Sequence, residues 1–277
     1  MTPDHRLTLA RPDLAADNLE GLIRADQFTR PLAMQTIVAV AALRTAGRAG
    51  AEQADQLLFG EAFEVLEVKD GFAWGQARRD GYVGFVEAAC LSRDPPAPTH
   101  RVGAPSTFAF AEPSIRAASF GPLSLNALVT VVEESGVFVR VAVAGWVPRR
   151  HLAPVGCFAR DPAAVAESLI GAPYLWGGRS HLGLDCSGLI QQSLHACGIA
   201  CPRDADQQSL LGAAIGAGDH RRGDLIFWRG HVGMMLDRGR LIHANAHHMA
   251  VAIELLDEAI SRIETAGAGA PTARRRL

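Results

Sequence analysis

Residues 184–190 of the chain read Leu-Asp-Cys-Ser-Gly-Leu-Ile, and this stretch decides how the C-terminal part folds. Asp185 is a favourable N-cap, so we expect a helix from Cys186 to Cys197 that Gly198 ends. The Cys186 sulfur then lies beside the first unpaired N–H groups of that helix, which favour its thiolate form. The backbone N–H of Cys186 is also a candidate donor to an oxyanion.

Gly188 occupies the first turn of this helix, where glycine is about 1 kcal/mol less favourable than alanine. A glycine at that cost indicates that something approaches the helix backbone closely. An arbitrary cysteine is more often buried and inert, but this local context favours a reactive Cys186.

Two histidines are the candidate partners of the thiol. Residues 230–233 read Gly-His-Val-Gly and open a predicted strand at His231, and His243 ends the next strand. Antiparallel pairing of these strands would bring His243 near His231. We therefore predict Cys186 as nucleophile, His231 as base and His243 as the group that orients the base. Taken singly, each histidine is more often a structural residue.

The residues around Cys186 suit a ligand. Tyr174 and Trp176 lie in a glycine-rich loop just before the helix, where core packing is the alternative role. Asp185 and Ser187 flank the cysteine and are candidates to hold a cationic amine. For Asp185, helix capping alone is an equal explanation.

Metal binding is the weaker hypothesis. His243, His247 and His248 form a short cluster, but no glutamate follows the first histidine as in zinc peptidase helices. Cys197 and Cys201 are half of a zinc site that lacks a second pair. We predict no metal and no cofactor, and interpret the remaining histidines and cysteines as structural or surface residues.

Composition limits the partners. The chain has 277 residues, is 48% hydrophobic and carries a net charge of −2, which argues against nucleic acid as the main partner. The most apolar stretch, Thr36–Leu43, is too short to span a membrane. An odd number of cysteines and a start (Met1–Arg6) without a basic and apolar leader predict a cytoplasmic location. The sequence beyond Ala266 is rich in Gly, Ala and Pro and has three arginines near its end, which predicts a frayed, solvated tail.

Two breaks divide the chain into three predicted domains. One break is the proline-rich stretch 94–98, and the other is the change from a strand-like to a helical sequence pattern at 154–161. They predict domains 1–95, 99–155 and 160–277. The first two share a pattern of β-rich runs, glycine turns and a closing Gly-aromatic-Val, which predicts two small β-barrels. The third reads as α+β, with a helix starting at Asp161-Pro162 and strands at 224–228, 231–236, 240–243 and 251–255.

Loop lengths differ between the two β-rich copies. If Leu43-Arg44 and Ile115-Arg116 are equivalent, Arg44 to Gly71 spans 27 positions in the first copy, and Arg116 to Gly136 spans 20 in the second. Gly71 to Gly84 spans 13 positions, against 9 from Gly136 to Gly145. The first barrel is thus predicted to carry two longer loops, which hold Glu52 and Tyr82, although ordinary length variation is an alternative.

Six ordered motifs resemble the NlpC/P60 cysteine peptidases. They are PYLWGG (173–178), LDCSGLI (184–190), CPRD (201–204) with Gln208, GDLIFW (223–228), GHVG (230–233) and LIHA (241–244). The resemblance implies an α+β, papain-like domain over about residues 161–256. It also implies a triad of Cys186, His231 and His243, with Tyr174 on the oxyanion side.

The upstream barrels resemble bacterial SH3-like domains, and the order of domains resembles γ-D-glutamyl-L-diamino acid endopeptidases. That branch acts on small murein peptides with a free N-terminal L-alanine. Its amine site would consist of Asp185, Ser187 and, from the first barrel, Glu52 and Tyr82, with Glu61 as the alternative acid. The resemblance implies a recycling enzyme with no nucleic-acid or membrane partner, and the first ~35 residues resemble nothing that we can name.

Three other functions compete with this one. A secreted peptidoglycan hydrolase would act on intact wall, and an amidase or acyltransferase would keep the Cys–His pair but ignore murein peptides. A non-catalytic binding module would not need Cys186. The sequence leaves open whether diaminopimelate or lysine occupies the leaving position, and the oligomeric state.

Overall fold

A computed structural model describes residues 4–93 and 96–277. The start of the chain (residues 1–3) and two residues of the predicted linker (94–95) lie outside the described residues. The chain divides into two compact units, Met1–Val155 and Gly156–Leu277. The three predicted domain boundaries stay a prediction.

The first half of the N-terminal unit is a curved antiparallel sheet. A parallel pair of short strands precedes it, β1 (Leu14–Ala16) and β2 (Gln27–Thr29). The sheet itself has the order β5-β4-β8-β7-β6-β3-β9. Its strands are β3 (Leu32–Thr36), β4 (Val40–Arg44), β5 (Gln53–Leu58), β6 (Ala62–Lys69), β7 (Phe72–Ala77), β8 (Val83–Glu87) and β9 (Leu91–Arg93).

The second half repeats this plan with two smaller sheets, ordered β13-β10-β17 and β12-β11-β16-β15-β14. A 3-10 helix precedes the last strand in each half, at Ala88–Cys90 and at Arg149–His151. The strands are β10 (His100–Val102), β11 (Ser106–Phe110), β12 (Ser119–Ser124), β13 (Leu128–Val129), β14 (Val131–Ser135), β15 (Phe138–Val141), β16 (Gly145–Pro148) and β17 (Leu152–Pro154).

Each half of this unit has its own apolar core. Leu43, Phe63 and Val86 are fully buried in the first. The second core also takes Leu58 and Phe59 from the end of β5, so the two halves pack directly against each other. The sequence predicted the two β-rich copies because alternating apolar residues mark half-buried strands.

Strand pairing corrects the predicted loop lengths. Arg44 pairs with Phe85, and Phe110 pairs with Trp146, so Arg44 corresponds to Phe110 and not to Arg116. The loops 45–52 and 111–118 then have the same length, and the predicted longer loop at Glu52 is wrong. The loop 78–82, which ends at Tyr82, is longer than its counterpart 142–144, as predicted.

The C-terminal unit is an antiparallel sheet with four helices. The six-stranded sheet has the order β20-β25-β21-β22-β23-β24, and β18 and β19 form a separate hairpin. The helices are α1 (Pro162–Glu167), α2 (Cys186–Ala196), α3 (Ala205–Gln208) and α4 (Leu256–Thr265). The strands are β18 (Arg179–Ser180), β19 (Gly183–Leu184), β20 (Ala213–Ala214), β21 (Leu225–Trp228), β22 (His231–Met235), β23 (Arg240–Asn245), β24 (Ala250–Leu255) and β25 (Ala273–Arg276).

The predicted start of the central helix is confirmed. The Asp185 side chain accepts a hydrogen bond from the N–H of Gly188 at 2.7 Å and so caps α2. Every residue of α2 is buried, which places it in the core of the unit. A Cβ atom at Gly188 would lie 2.2 Å from the carbonyl oxygen of Gly178. The close approach inferred from this glycine is therefore that of the preceding loop.

The predicted frayed C-terminus is wrong. Residues 273–276 form β25, which pairs with β21 inside the sheet. Arg276 donates to both carboxylate oxygens of the buried Asp224, and Arg275 donates to the carbonyl of Ser209. These arginines are part of the fold because the loops before β20 and β21 supply their acceptors.

Within residues 4–93 and 96–277, no helix is both long and apolar enough to cross a bilayer.

Substitution Gly188→Ala separates helix propensity from packing. Propensity alone predicts that alanine stabilises α2 by about 1 kcal/mol. The contact with Gly178 predicts the opposite, a loss of about 1–3 kcal/mol in the free energy of unfolding, because a Cβ has no room. Denaturant unfolding measures the sign. Gly216→Ala, at a position with open space, is the matched control, and a stabilised Gly188→Ala protein would contradict the packing.

Candidate active site

Cys186 is the first residue of α2 and is only 7% exposed. Its sulfur lies 4.0 Å from the carbonyl oxygen of Gly230, the residue before His231. The backbone N–H groups of Val232 and Ser187 also act on the thiol. The helix start therefore lies directly against the beginning of β22.

His231 and His243 are hydrogen-bonded to each other. The Nε2 atom of His231 lies 2.9 Å from Nδ1 of His243, which is fully buried. The two strands pair antiparallel, as predicted, so residues near the ends of β22 and β23 meet. Since Nε2 of His231 is used in this bond, Nδ1 is the ring atom left for a thiol.

The series of hydrogen bonds continues to two residues that were not predicted from the sequence. The Nε2 atom of His243 lies 2.6 Å from Oε2 of Glu254 in β24. Arg262, on α4, donates to both oxygens of the same carboxylate. A signal for Glu254 existed in the sequence, namely a charged residue inside an otherwise apolar predicted strand that neighbours His243.

Trp228 shields the hydrogen-bonded histidines from one side. Its ring centroid lies 5.7 Å from that of His231, and the side chain is 2% exposed. Contact with a large apolar ring lowers access of water to the imidazole, which strengthens its remaining hydrogen bonds.

Burial keeps the resting pair neutral. Burial, and then the charge of Asp185, raises the pKa of Cys186 to about 12, although backbone N–H groups oppose this. Burial also lowers the pKa of His231 to about 3 and lowers that of His243. The helix start was predicted to favour the thiolate, and its N–H groups do lower the pKa of Cys186, but loss of hydration raises that pKa by more.

Asp185 and Ser187 already have a cationic partner. Arg203, almost fully buried, donates to both oxygens of Asp185 and to the Ser187 hydroxyl. The Ser187 hydroxyl in turn donates to Asp185. Arg203 belongs to the CPRD motif, and this role was not predicted from the sequence. The charge of Asp185 is thus compensated before any ligand binds.

The loop before α2 presents the two predicted aromatic residues differently. Tyr174 is half-buried, and burial followed by the charges of Cys186 and Asp185 raises its pKa to about 12. Its backbone pairs with that of Leu184, two residues before Cys186. Trp176 is 61% exposed, which agrees with a ligand-facing side chain better than with core packing.

The predicted residues of the first barrel lie in the other unit, and their role stays a prediction. Glu52 is exposed at the end of the loop between β4 and β5. Glu61 is 1% exposed, pairs with Arg79 and accepts from the Leu58 N–H, so it holds a turn. Tyr82 packs in the core of the first barrel with 7% exposed. Glu52 is therefore the acid of this barrel better placed for a ligand.

Comparison with known families agrees with this geometry. Residues 171–269 match the NlpC/P60 family, and residues 43–91 match a family described as bacterial dipeptidyl-peptidase SH3 domain. The C-terminal unit is an NlpC/P60 domain. The predicted α+β, papain-like fold class is confirmed, and the matched relatives support a peptidase.

Known proteins match either most of this chain or only its C-terminal part. The γ-D-glutamyl-L-lysine dipeptidyl-peptidase of Bacillus subtilis is 29% identical over 230 residues, which cover 74% of this chain and 76% of the relative. The Bacillus cereus protein of the same name is 35% identical over 103 residues, 34% of this chain and 31% of the relative. A crystal structure of an NlpC/P60 family protein from Bacillus cereus has a TM-score of 0.74 at 21% identity, covering 88% of this chain and 99% of its own, which shows the fold alone.

One set of side chains in the NlpC/P60 domain has spacing that suits a metal. Ligand atoms of His243, His248 and Glu254 lie within 4.8 Å of one another. Two of them, on His243 and Glu254, are bonded to each other, and Nδ1 of His248 lies 3.0 Å from the Asn245 side-chain oxygen. The contacts of this set are those of a hydrogen-bonded chain that supports His231.

The pKa shifts predict how the Cys186 thiol of the NlpC/P60 domain responds to pH. Because its pKa lies far above neutrality, the rate of alkylation by iodoacetamide should rise about tenfold per pH unit from pH 6 to pH 9. Peptide-level mass spectrometry measures the rate at Cys186 alone. His231→Ala should change this rate only a few-fold. A plateau that begins below pH 7 would show a preformed thiolate–imidazolium pair and contradict the assignment.

Proposed function

We propose that this protein is a cysteine peptidase that hydrolyses the γ-D-glutamyl–diamino acid bond of small peptidoglycan peptides with a free N-terminal L-alanine. One observation carries the proposal: Cys186 at a helix start, facing the strand of the paired His231 and His243, lies in the same chain as a dipeptidyl-peptidase SH3 domain. The Bacillus subtilis relative, named for γ-D-glutamyl-L-lysine cleavage, supports the bond type.

The first half-reaction is acyl transfer to sulfur. The Cys186 sulfur attacks the γ-carbonyl carbon of D-glutamate while its proton passes to Nδ1 of His231. The charge that develops on the carbonyl oxygen is met by the Cys186 N–H and the Tyr174 hydroxyl. The carbon–nitrogen bond then breaks, His231 protonates the leaving amine of the diamino acid, and a thioester remains.

The second half-reaction releases the dipeptide. His231 removes a proton from water, and the resulting hydroxide attacks the thioester carbon. The carbon–sulfur bond breaks, the sulfur regains the proton, and L-Ala-D-Glu leaves. A neutral thiol and a neutral imidazole in the resting site suit these reaction steps, because His231 must accept a proton in each half-reaction.

Recognition of the free amine requires negative charge near it. Asp185 is paired with Arg203, so Asp185 and Ser187 contribute hydrogen-bond acceptors but little net charge. We assign the negative charge that faces the amine to Glu52 of the first barrel. The family resemblance implies Tyr82 as a second contact of the amine. Trp176, exposed next to the nucleophile loop, is the proposed apolar contact of the peptide.

A requirement for a free amine excludes glycan strands, in which the alanine amine is acylated. We therefore propose that the substrate is liberated peptide and that the enzyme recycles it in the cytoplasm. Subcellular fractionation of the producing cell tests the location.

The peptide L-Ala-γ-D-Glu-diaminopimelate tests the substrate directly. Wild type should cleave it, acylation of its alanine amine should lower kcat/KM by about 10–100-fold, and Cys186→Ala should abolish cleavage. Chromatography of the released diamino acid measures the rate, and the lysine peptide run alongside decides the leaving group. Equal cleavage of free and acylated peptides would overturn the recycling role and favour a wall hydrolase. Cleavage of neither would show a different acyl-transfer substrate.

Substitution Glu52→Gln isolates the amine contact. It should raise KM for the free-amine peptide about tenfold and leave the slow cleavage of the acylated peptide unchanged. Glu87→Gln, an exposed glutamate elsewhere in the same barrel, is the matched control. An unchanged KM in Glu52→Gln would remove Glu52 from the site.

A further inference from the structure

The chain of hydrogen bonds behind His231 ends on an ion pair. In the sheet, His243 pairs with Ala252 and Leu241 pairs with Glu254, so Glu254 is the diagonal neighbour of His243 on the same face. Its carboxylate lies 2.6 Å from Nε2 of His243. Arg262, eight positions further on in α4, holds the same carboxylate from the other side.

Glu254 is ionised at neutral pH. Burial raises the pKa of Glu254, but hydrogen bonds from His243 and Arg262, together with their charges, lower it to about 2. A carboxylate accepts hydrogen bonds and donates none. The atom of His243 that faces it, Nε2, must therefore carry a proton.

Each bond then fixes the next one. A neutral imidazole has one N–H and one lone pair, so a proton on Nε2 of His243 leaves a lone pair on its Nδ1. That lone pair accepts from Nε2 of His231, which must carry the proton in turn. The lone pair of His231 is thus on Nδ1, the ring atom not used in this bond.

We propose that Glu254, oriented by Arg262, is the positioning residue that sets the tautomers of both histidines, so that His231 offers its Nδ1 lone pair to Cys186. The role of this lone pair as a base rests on the proposed function. The tautomers themselves follow from the contacts alone. The other charged or titratable groups that act on the two histidines are Arg262 and His248.

Arg262 determines what happens when Glu254 becomes glutamine. An arginine only donates, so it would take the amide oxygen of Gln and leave the amide N–H₂ facing His243. Nε2 of His243 would then have to accept, Nδ1 would carry the proton, and His231 would end with its proton on Nδ1. This is the tautomer that cannot accept a proton from a thiol.

Four proteins test the chain of tautomers: wild type, Glu254→Gln, Arg262→Met and the double variant. For the diaminopimelate tripeptide in EDTA, Glu254→Gln should lower kcat on the order of 10²–10⁴-fold, as a wrong histidine tautomer does elsewhere, with KM changed less than threefold. Arg262→Met should lower kcat at least tenfold less than Glu254→Gln does, because the carboxylate still accepts from His243. The double variant should recover at least tenfold over Glu254→Gln, because the freed amide can turn its oxygen to His243.

A purely structural ion pair predicts a different pattern. Both single losses would then be similar, and the double variant would be no better than Glu254→Gln. Either result, or an unchanged kcat in Glu254→Gln, would overturn the proposal.

Nitrogen-15 NMR of histidine-labelled protein gives a readout that needs no substrate. Two-bond couplings should show the proton on Nε2 of both His231 and His243 in wild type, and on Nδ1 of both in Glu254→Gln. If Glu254→Gln fails to fold, Glu254→Ala should show mixed tautomers. Wild-type tautomers in all variants would refute the inference, whereas loss of peptide cleavage in every protein, wild type included, would refute only the proposed function.

Discussion

The hydrogen bond between Nε2 of His231 and Nδ1 of His243 is the constraint on which the site depends. It links neighbouring strands of the central sheet and leaves one ring atom of His231 for the thiol. It also connects the imidazole to a carboxylate and an arginine that lie on a third strand and a helix. The antiparallel sheet is therefore the element that converts sequence-distant residues into one ordered chain of donors and acceptors.

A second buried cluster balances the charge on the other side of the nucleophile. Asp185 caps α2 and simultaneously pairs with Arg203, which also holds Ser187. A helix start stabilises a nearby negative charge by typically about 0.3–1 kcal/mol, and by about 2 kcal/mol at most. That is too little to offset the desolvation of a thiolate at a site only 7% exposed. The site is thus built to move a proton during the reaction, and the neutral, oriented imidazole matches that need.

Local signals in the sequence predicted the elements that carry the chemistry. Short-range rules, which need only neighbouring residues, predicted the cap at Asp185, the close approach at Gly188 and the strands around His231 and His243. Glu254 and Arg262 were missed because their role arises from strand register and helix packing. The C-terminal arginines were misinterpreted as a tail because their acceptors are distant in sequence: Asp224 lies 52 positions from Arg276, and Ser209 lies 66 positions from Arg275. The loop at Glu52 was predicted to be too long because Arg44 was aligned with Arg116 by residue similarity. Strand pairing aligns Arg44 with Phe110 instead.

Acylation of Cys186 by the γ-D-glutamyl group is the central step of the proposed mechanism. Rapid acid quenching of wild type with excess L-Ala-γ-D-Glu-diaminopimelate, followed by mass spectrometry of the Cys186 peptide, tests it most directly. The account predicts an adduct equal to L-Ala-D-Glu less one water on Cys186, absent from Cys186→Ala, which releases no diamino acid. Turnover by Cys186→Ala at the wild-type rate would contradict it.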